Sequence, residues 1–341
     1  MSHNPRISVL LPAYDSEAFL PDCLRSLQRQ TFADFEVIAV DDGSTDATPS
    51  ILNSFAAVDP RIRPIRHQHR GLIATLNSGL DECRGQFVAR IDADDLAHPR
   101  RLELQIKAFL DNPELDVVSS LVSHFPRAAV GMGFRIYEQW LNSLIHHEEI
   151  LRERFIESPI PHPSVLIRRE VLESVDGYRD MQWPEDYDLW LRLAHCEKRF
   201  AKVPRVLCLW RQHESRLTKT DRRYSVEKFL ACKAHHLAVG PLRSCRRVII
   251  WGAGQTGRRL SKHLKRFGCQ LAAFIDIDPK KIGSTLRGLP IHSPNELTRL
   301  RSPHKRDVVL AAVSSRGARA LIREQLDRAR LRETVDYWCV A

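Results

Sequence analysis

Ile7-Ser8-Val9-Leu10-Leu11 is a short apolar run closed by Pro12 and predicts a buried strand. Pro21 suits a first helical turn, and Leu20, Cys23, Leu24 and Leu27 recur on one helical face as far as about Gln30. Phe35–Val40 is a second strand, followed by Asp41-Asp42-Gly43-Ser44. A helix then turns Ile51, Leu52 and Phe55 inward, with Ser44 or Asp46 as its N-cap. Ile62–Ile65 reads as a weak strand, Gly71–Cys83 as a helix through Leu72, Leu76 and Leu80, and Phe87–Ile91 as a strand ending in Asp92-Ala93-Asp94-Asp95.

The resulting β-α-β-α-β-α-β order predicts an α/β fold with a parallel sheet and right-handed crossovers. Ligands of such sheets lie beyond the carboxyl ends of the strands. Three polar clusters fall at those ends: Pro12 to Asp15, Asp41-Asp42, and Asp92 to Asp95. Further on, the pattern gives a helix near Arg100–Asn112 and a strand near Asp116–Ser120. Helices are expected around Phe134–Leu144 and Glu148–Ile156, a strand over Val165–Ile167 and a helix over Glu185–His195. Residues 219–240 look helical and basic, and a new strand opens at Arg247. The chain therefore divides into a first domain over 1–218, a basic helical linker over 219–246 and a smaller α/β domain over 247–341.

Charge sharpens this division. The net charge of +10 is −6 over residues 1–218, +5 over 219–246 and +11 over 247–341. The basic C-terminal third suits peripheral contact with an anionic membrane, or a solvated surface. No basic and aromatic residues interleave as a nucleic-acid platform requires, so no nucleic-acid partner is expected. Eight cysteines stand singly, which signals neither a zinc site nor a redox pair. No apolar run approaches a membrane span, and the first residues lack an apolar signal region, so a cytoplasmic location is expected.

Asp92 and Asp94 are two apart at a strand end and point the same way. Such carboxylates can grip one hard divalent cation, which neutralises a departing diphosphate. Asp95 adds a third carboxylate. An Asp-x-Asp alone is equally consistent with a solvated acidic turn.

Read together, the motifs resemble family 2 glycosyltransferases of the GT-A fold. The matching residues are Val9 to Tyr14, Gln30 to Asp46, Gly71, Asn77, Gly85 to Asp95, and Trp183-Pro184-Glu185-Asp186, spread over about residues 5–215. The resemblance implies transfer of a sugar from a nucleotide-sugar donor, UDP-linked above all, to an acceptor hydroxyl with inversion. Pro12, Ala13 and Tyr14 would line the nucleotide pocket, with Tyr14 against the base. Asp42 would accept a hydrogen bond from uracil and Asp41 would support its turn. Asp92 would face ribose or metal, and Asp94 would ligate Mg²⁺ or Mn²⁺. Asp186, in its Glu185-Asp186 pair, would be the catalytic base. His213 would contact metal or phosphate, with a surface histidine as the alternative. Arg211 would meet a phosphate or a surface acid. Trp183 would wall the acceptor pocket or pack in the core, and His162 also fits the acceptor side. His67/His69, His146/His147 and His235/His236 read as surface residues. The acceptor would be a glycan, a lipid-linked sugar or a protein, in cell-surface glycan assembly at the inner membrane face.

In the second unit a strand, Arg247 to Trp251, leads into Gly252-Ala253-Gly254-Gln255-Thr256-Gly257, a helix, and a strand ending at Asp276. Gly252, Gly254, Gly257 and Asp276 form a dinucleotide-binding fingerprint in its required context. The unit resembles Rossmann-like domains appended to sugar-modifying enzymes, and it is only about half the length of a full dinucleotide-binding domain. A nucleotide, a nucleotide sugar, NAD or no ligand all remain open for it. Two further readings compete with a simple transferase: a bifunctional protein with NAD-dependent sugar chemistry, and a non-enzymatic nucleotide sensor.

Overall fold

The computed structural model describes residues 4–301 and 306–341. The chain divides into two compact units. The first runs to Ile150 and takes up Pro159–Met181 and Asp188–Thr220. The second comprises Leu151–Ser158, Gln182–Tyr187 and Asp221–Ala341.

The first unit is built on an eight-stranded sheet in the order β3-β2-β1-β4-β7-β6-β8-β5. Its strands are β1 (Ile7–Ala13), β2 (Phe35–Asp41), β3 (Ile62–Arg66), β4 (Phe87–Arg90), β5 (Leu96–Ala97), β6 (Val117–Phe125), β7 (Leu166–Arg168) and β8 (Phe200–Arg211). Strands β1 and β2 are buried along their whole length, as near-continuous apolar runs in a parallel sheet should be. Helices α1 (Leu20–Gln28), α2 (Thr48–Val58) and α3 (Leu72–Asp81) connect the first four strands, which are all parallel. The expected parallel sheet stops there. β7 runs antiparallel to both β4 and β6, and β5 antiparallel to β8, so the sheet is mixed. The alternation in these short strands gives no direction, which tertiary pairing decides. The N-cap of α2 is neither expected residue: it is Ala47, with no side-chain cap, while Asp46 just before it accepts the Thr48 N–H at 2.9 Å and Ser44 accepts the Asp15 N–H.

The core joins Val9, Leu11, Leu24, Val37 and Ala39 to Leu102 and Ile106 of α4 (Arg101–Asp111). Buried ions are held in networks. Glu36 accepts from Ser8 Oγ (2.7 Å), the Arg84 backbone N–H (2.9 Å) and the Arg63 guanidinium (2.8 Å). Burial alone would raise this carboxyl, but those donors hold it down at about 2. Arg192 is buried and bonded to Asp188 (2.7 Å) and to the carbonyls of Val175 and Gly177.

The second unit has a six-stranded sheet in the order β11-β12-β10-β9-β13-β14. Its strands are β9 (Val248–Trp251), β10 (Leu271–Ile275), β11 (Thr285–Leu286), β12 (Leu289–His292), β13 (Val308–Ala311) and β14 (Tyr337–Cys339). All neighbours are parallel except β11 with β12. Helix α5 (Val226–Val239) packs in this unit, and two short upstream segments belong with it for that reason. Lys233 of α5 donates to the Ile156 carbonyl (3.0 Å), Phe229 meets the Tyr187 ring, and His235 meets Trp183.

Candidate active site

Parallel pairing sets the first polar clusters side by side. Ala13 pairs with Asp41 across β1 and β2, and the Asp42 N–H donates to the Ala13 carbonyl at 2.9 Å. Pro12 and Ala13 are buried and Tyr14, just past the strand, is 46% exposed. Asp41 accepts the Ser44 N–H (3.0 Å) and its other oxygen lies 3.1 Å from Arg66 Nε. Asp42 accepts the N–H groups of Arg70 and Gly71, each at 2.9 Å. Gly43 holds φ at +78°, and a Cβ there would stand 2.6 Å from the His69 nitrogen. A glycine is therefore required for segment 67–69 to cross this turn.

His69 is a surface residue, as expected, with its side chain 56% exposed, and it also meets this turn. Its Nδ1 is 2.9 Å from Asp42 Oδ2 and 3.2 Å from the Asp42 carbonyl, and its ring stands 4.3 Å from Tyr14. His67 also has a partner, Ser78 Oγ at 2.5 Å. The sequence shows neither contact, because both residues lie in a polar segment with no periodicity. The other histidine pairs differ from the reading in part: His147 Nδ1 accepts the Phe200 N–H, and His236 is buried.

The third cluster follows β4. Asp92, Asp94 and Asp95 bring one carboxylate oxygen each within 4.8 Å of one another. Arg90, itself buried, forms a short ion pair with Asp92. His213 Nε2 is 2.7 Å from Asp94 Oδ2, so the histidine predicted 119 residues away does converge on this carboxylate. Asp95 is fully buried; it accepts the Arg211 N–H at 2.8 Å through Oδ1, and Oδ2 has no hydrogen-bond partner. Burial, then the charges of Asp94 and Asp92, push its carboxyl well above the usual carboxylate range. Three crowded carboxylates with one orphaned oxygen are a donor set that a divalent cation would fit. Arg211 braces the arrangement. Its Nε donates to the Asp94 carbonyl at 2.7 Å, and its guanidinium lies over the rings of Phe19 (4.8 Å) and Phe125 (4.6 Å). Its nearest carboxylate is Asp22, at 3.4 Å.

His162 is buried, 2.9 Å from the Tyr178 hydroxyl and edge-on to Trp190. Burial first, then Arg90, lowers its pKa well below 6.5.

Within the second unit, Asp186 lies in the first turn of α6 (Glu185–His195), half-buried, with Oδ1 accepting the Tyr187 N–H. Glu185 is buried and accepts the Tyr224 hydroxyl at 2.9 Å. Trp183 is only 7% exposed and packs 5.3 Å from His235.

The glycine fingerprint forms a strand–turn–helix passing from β9 into α7 (Gln255–Arg266). Gly252 holds φ at +120°, and a Cβ on Gly257 would lie 1.9 Å from the Gly252 carbonyl. Gly254 differs, since a Cβ there would meet nothing. It borders a cavity of about 410 Å³ shared with Thr256, Asp276, Lys281 and Ser314. Asp276 is turned to the protein: it accepts the N–H groups of Ala253 (2.9 Å) and Asp278 (3.0 Å) and pairs with Lys281 at 3.2 Å.

The first unit is thus a mixed sheet whose parallel half ends in a polar rim beside an acidic cluster. Residues 8–176 match the model of Glycosyl transferase family 2, and residues 244–334 that of C2185-like, N-terminal. The putative glycosyltransferase EpsE of Bacillus subtilis is 28% identical over 248 residues, covering 68% of this chain and 84% of its own. The amylovoran biosynthesis glycosyltransferase AmsE of Erwinia amylovora is 29% identical over 203 residues, 59% of this chain and 74% of its own. The solved structure of S. aureus TarS 1-349 in complex with UDP-GlcNAc superimposes with a TM-score of 0.55 at 20% identity, covering 77% of this chain and 71% of that one. The chain is a glycosyltransferase enzyme whose residues 8–176 match the family 2 model on an α/β fold like that of GT-A enzymes, with a second, smaller sheet in its other unit. Among the described residues no helix is long and apolar enough to cross a membrane.

Proposed function

We propose that the protein transfers a sugar from a UDP-sugar to an acceptor hydroxyl with inversion, in the assembly of a cell-surface polysaccharide. The observation that carries this reading is the convergence of Asp92, Asp94, Asp95 and His213 beside the strand ends that hold Tyr14 and Asp42. Tyr14 would stack on the base, and Asp42 would accept the uracil N–H. Asp94, with Asp92 and His213, would hold Mg²⁺ or Mn²⁺, which when bound offsets the charge of the leaving diphosphate. In the transfer itself the acceptor oxygen forms a bond to the anomeric carbon as the bond from that carbon to the diphosphate oxygen breaks. Asp186 would take the acceptor's proton, a role that rests on its place in the Trp183–Asp186 motif. Glu185, fixed by Tyr224, would keep that turn in place. The AmsE relative, named for amylovoran biosynthesis, supports a polysaccharide product. Nucleotide release from a panel of UDP- and GDP-sugars with Mn²⁺ and mixed glycan and lipid-linked acceptors tests the reading. Turnover of at least one UDP-sugar is expected, and turnover of GDP-sugars alone would overturn the donor assignment.

A second ligand is favoured by the cavity beside Gly254. It lies between the ends of β9 and β13, where the strand order reverses, as nucleotide sites in such sheets do. The Asp276 carboxylate is engaged by Ala253, Asp278 and Lys281, which disfavours its reading a ribose diol and so disfavours NAD. The unit would then act as a Rossmann-like nucleotide or nucleotide-sugar module, with residues 221–246 leading into it. Titration of the full chain with NAD and with UDP separates these outcomes.

A further inference from the structure

We infer that His69 sets the base preference of the donor pocket by closing one edge of the Asp42 carboxylate, so that the pocket accepts a base offering one N–H donor and rejects one offering two. The inference rests on the nucleotide reading of this rim and deepens it. A carboxylate has about four lone-pair positions, two on each oxygen. Asp42 Oδ2 receives the Gly71 N–H at 2.9 Å, and the half-exposed His69 ring, hydrogen-bonded through Nδ1 to the Asp42 backbone carbonyl at 3.2 Å, stands over it with Nδ1 2.9 Å away. Oδ1 receives the Arg70 N–H at 2.9 Å. Each oxygen keeps one further position, and the imidazole stands in front of the one on Oδ2, which leaves the one on Oδ1 open.

Uracil presents a single N–H, flanked by carbonyls, on its recognition edge, and one open acceptor satisfies it. Guanine presents an adjacent ring N–H and amino group, and these need both carboxylate oxygens. With His69 in place the second donor of guanine would be desolvated against a covered oxygen, which is the kind of mismatch a polar site rejects most strongly. The turn is shaped for this closure. Gly43, at φ +78°, leaves room for the His69 backbone where a Cβ would stand 2.6 Å away. Tyr14 then holds the imidazole from its other side at 4.3 Å.

Calorimetric titration of the full chain with UDP and with GDP, each with Mn²⁺, tests this in the wild type, in His69→Ala and in His69→Phe. The wild type should bind UDP more tightly. His69→Ala, which uncovers Oδ2, should shift the UDP-to-GDP affinity ratio toward GDP by at least tenfold. His69→Phe, whose ring still covers Oδ2, should weaken binding yet keep the ratio. A wild-type preference for UDP that His69→Ala leaves unchanged, or that His69→Phe loses equally, overturns the role of His69 alone. A wild type without preference for UDP overturns the uridine reading and this inference with it.

Discussion

Replacing Arg211 by alanine tests how the acidic cluster is held. The guanidinium lies 4.8 Å over Phe19 and 4.6 Å over Phe125, and its side chain is 15% exposed. Two such stacks contribute about 0.5–1 kcal/mol each. The bond from Nε to the Asp94 carbonyl, at 2.7 Å, comes from a charged donor and contributes about 1.5–3 kcal/mol. The Asp22 contact at 3.4 Å reaches an exposed carboxylate and adds little. Neighbouring terms are not additive, so a loss of about 3 kcal/mol is expected. The backbone bond from Arg211 to Asp95 survives the substitution, but the strand end carrying it loses its anchor, and His213 lies two residues on. Urea unfolding followed alongside Mn²⁺ titration should therefore show both a destabilised first unit and a cation affinity at least tenfold weaker. Arg211→Lys, which keeps the charge without the planar stack, should fall between. If Arg211→Ala lowers stability by the stated amount and leaves Mn²⁺ affinity untouched, Arg211 is a packing residue and does not position the cluster.

Three further substitutions probe the scaffold. Glu36→Gln should destabilise the first unit by about 1–2 kcal/mol at neutral pH, because Ser8, the Arg84 N–H and the partly exposed guanidinium groups of Arg84 and Arg63 lose their buried anion. Since the folded carboxyl is held at about 2, below its ordinary value of 4.5, its stabilisation is fully present above pH 4.5 and is lost as the pH falls toward 2. The gap between wild type and variant in a pH series of melts must close over that window; a constant gap would refute the ionic account. In the second unit Gly257→Ala should cost about 3 kcal/mol, since its Cβ would meet the Gly252 carbonyl at 1.9 Å, whereas Gly254→Ala, opening on the cavity, should be near neutral in hydrogen exchange of β9. Equal effects would show that the turn is not packed as described.

The first half of the sheet was legible because its strands are buried runs and its helices amphipathic. Phe35 to Val40, Leu271 to Ile275 and Glu185 to His195 are each found in the element their pattern implies. β8 was not, since Pro204 and Arg205 interrupt its apolar pattern; its length comes from pairing with β6 along nine positions. Strand direction in β5 and β7 is likewise set by partners far away in the chain. Asp92 and Asp94 stood out by spacing alone, but the convergence of His213 on Asp94 needed the fold. His69 and Arg90 carried no signal at all: one lies in a polar loop, the other inside an apolar strand, and each acquires meaning only from the carboxylate it meets.

In the proposed reaction the acceptor oxygen, deprotonated by Asp186, attacks the anomeric carbon of a donor whose diphosphate would be held through a cation on the acidic cluster. This reading is tested most directly by Asp186→Asn, with UDP release in the presence of acceptor and UDP affinity measured on the same preparation. The account predicts that transfer falls by at least a hundredfold while UDP affinity stays within about twofold of wild type. Transfer that persists, or transfer and UDP binding lost together, would contradict it.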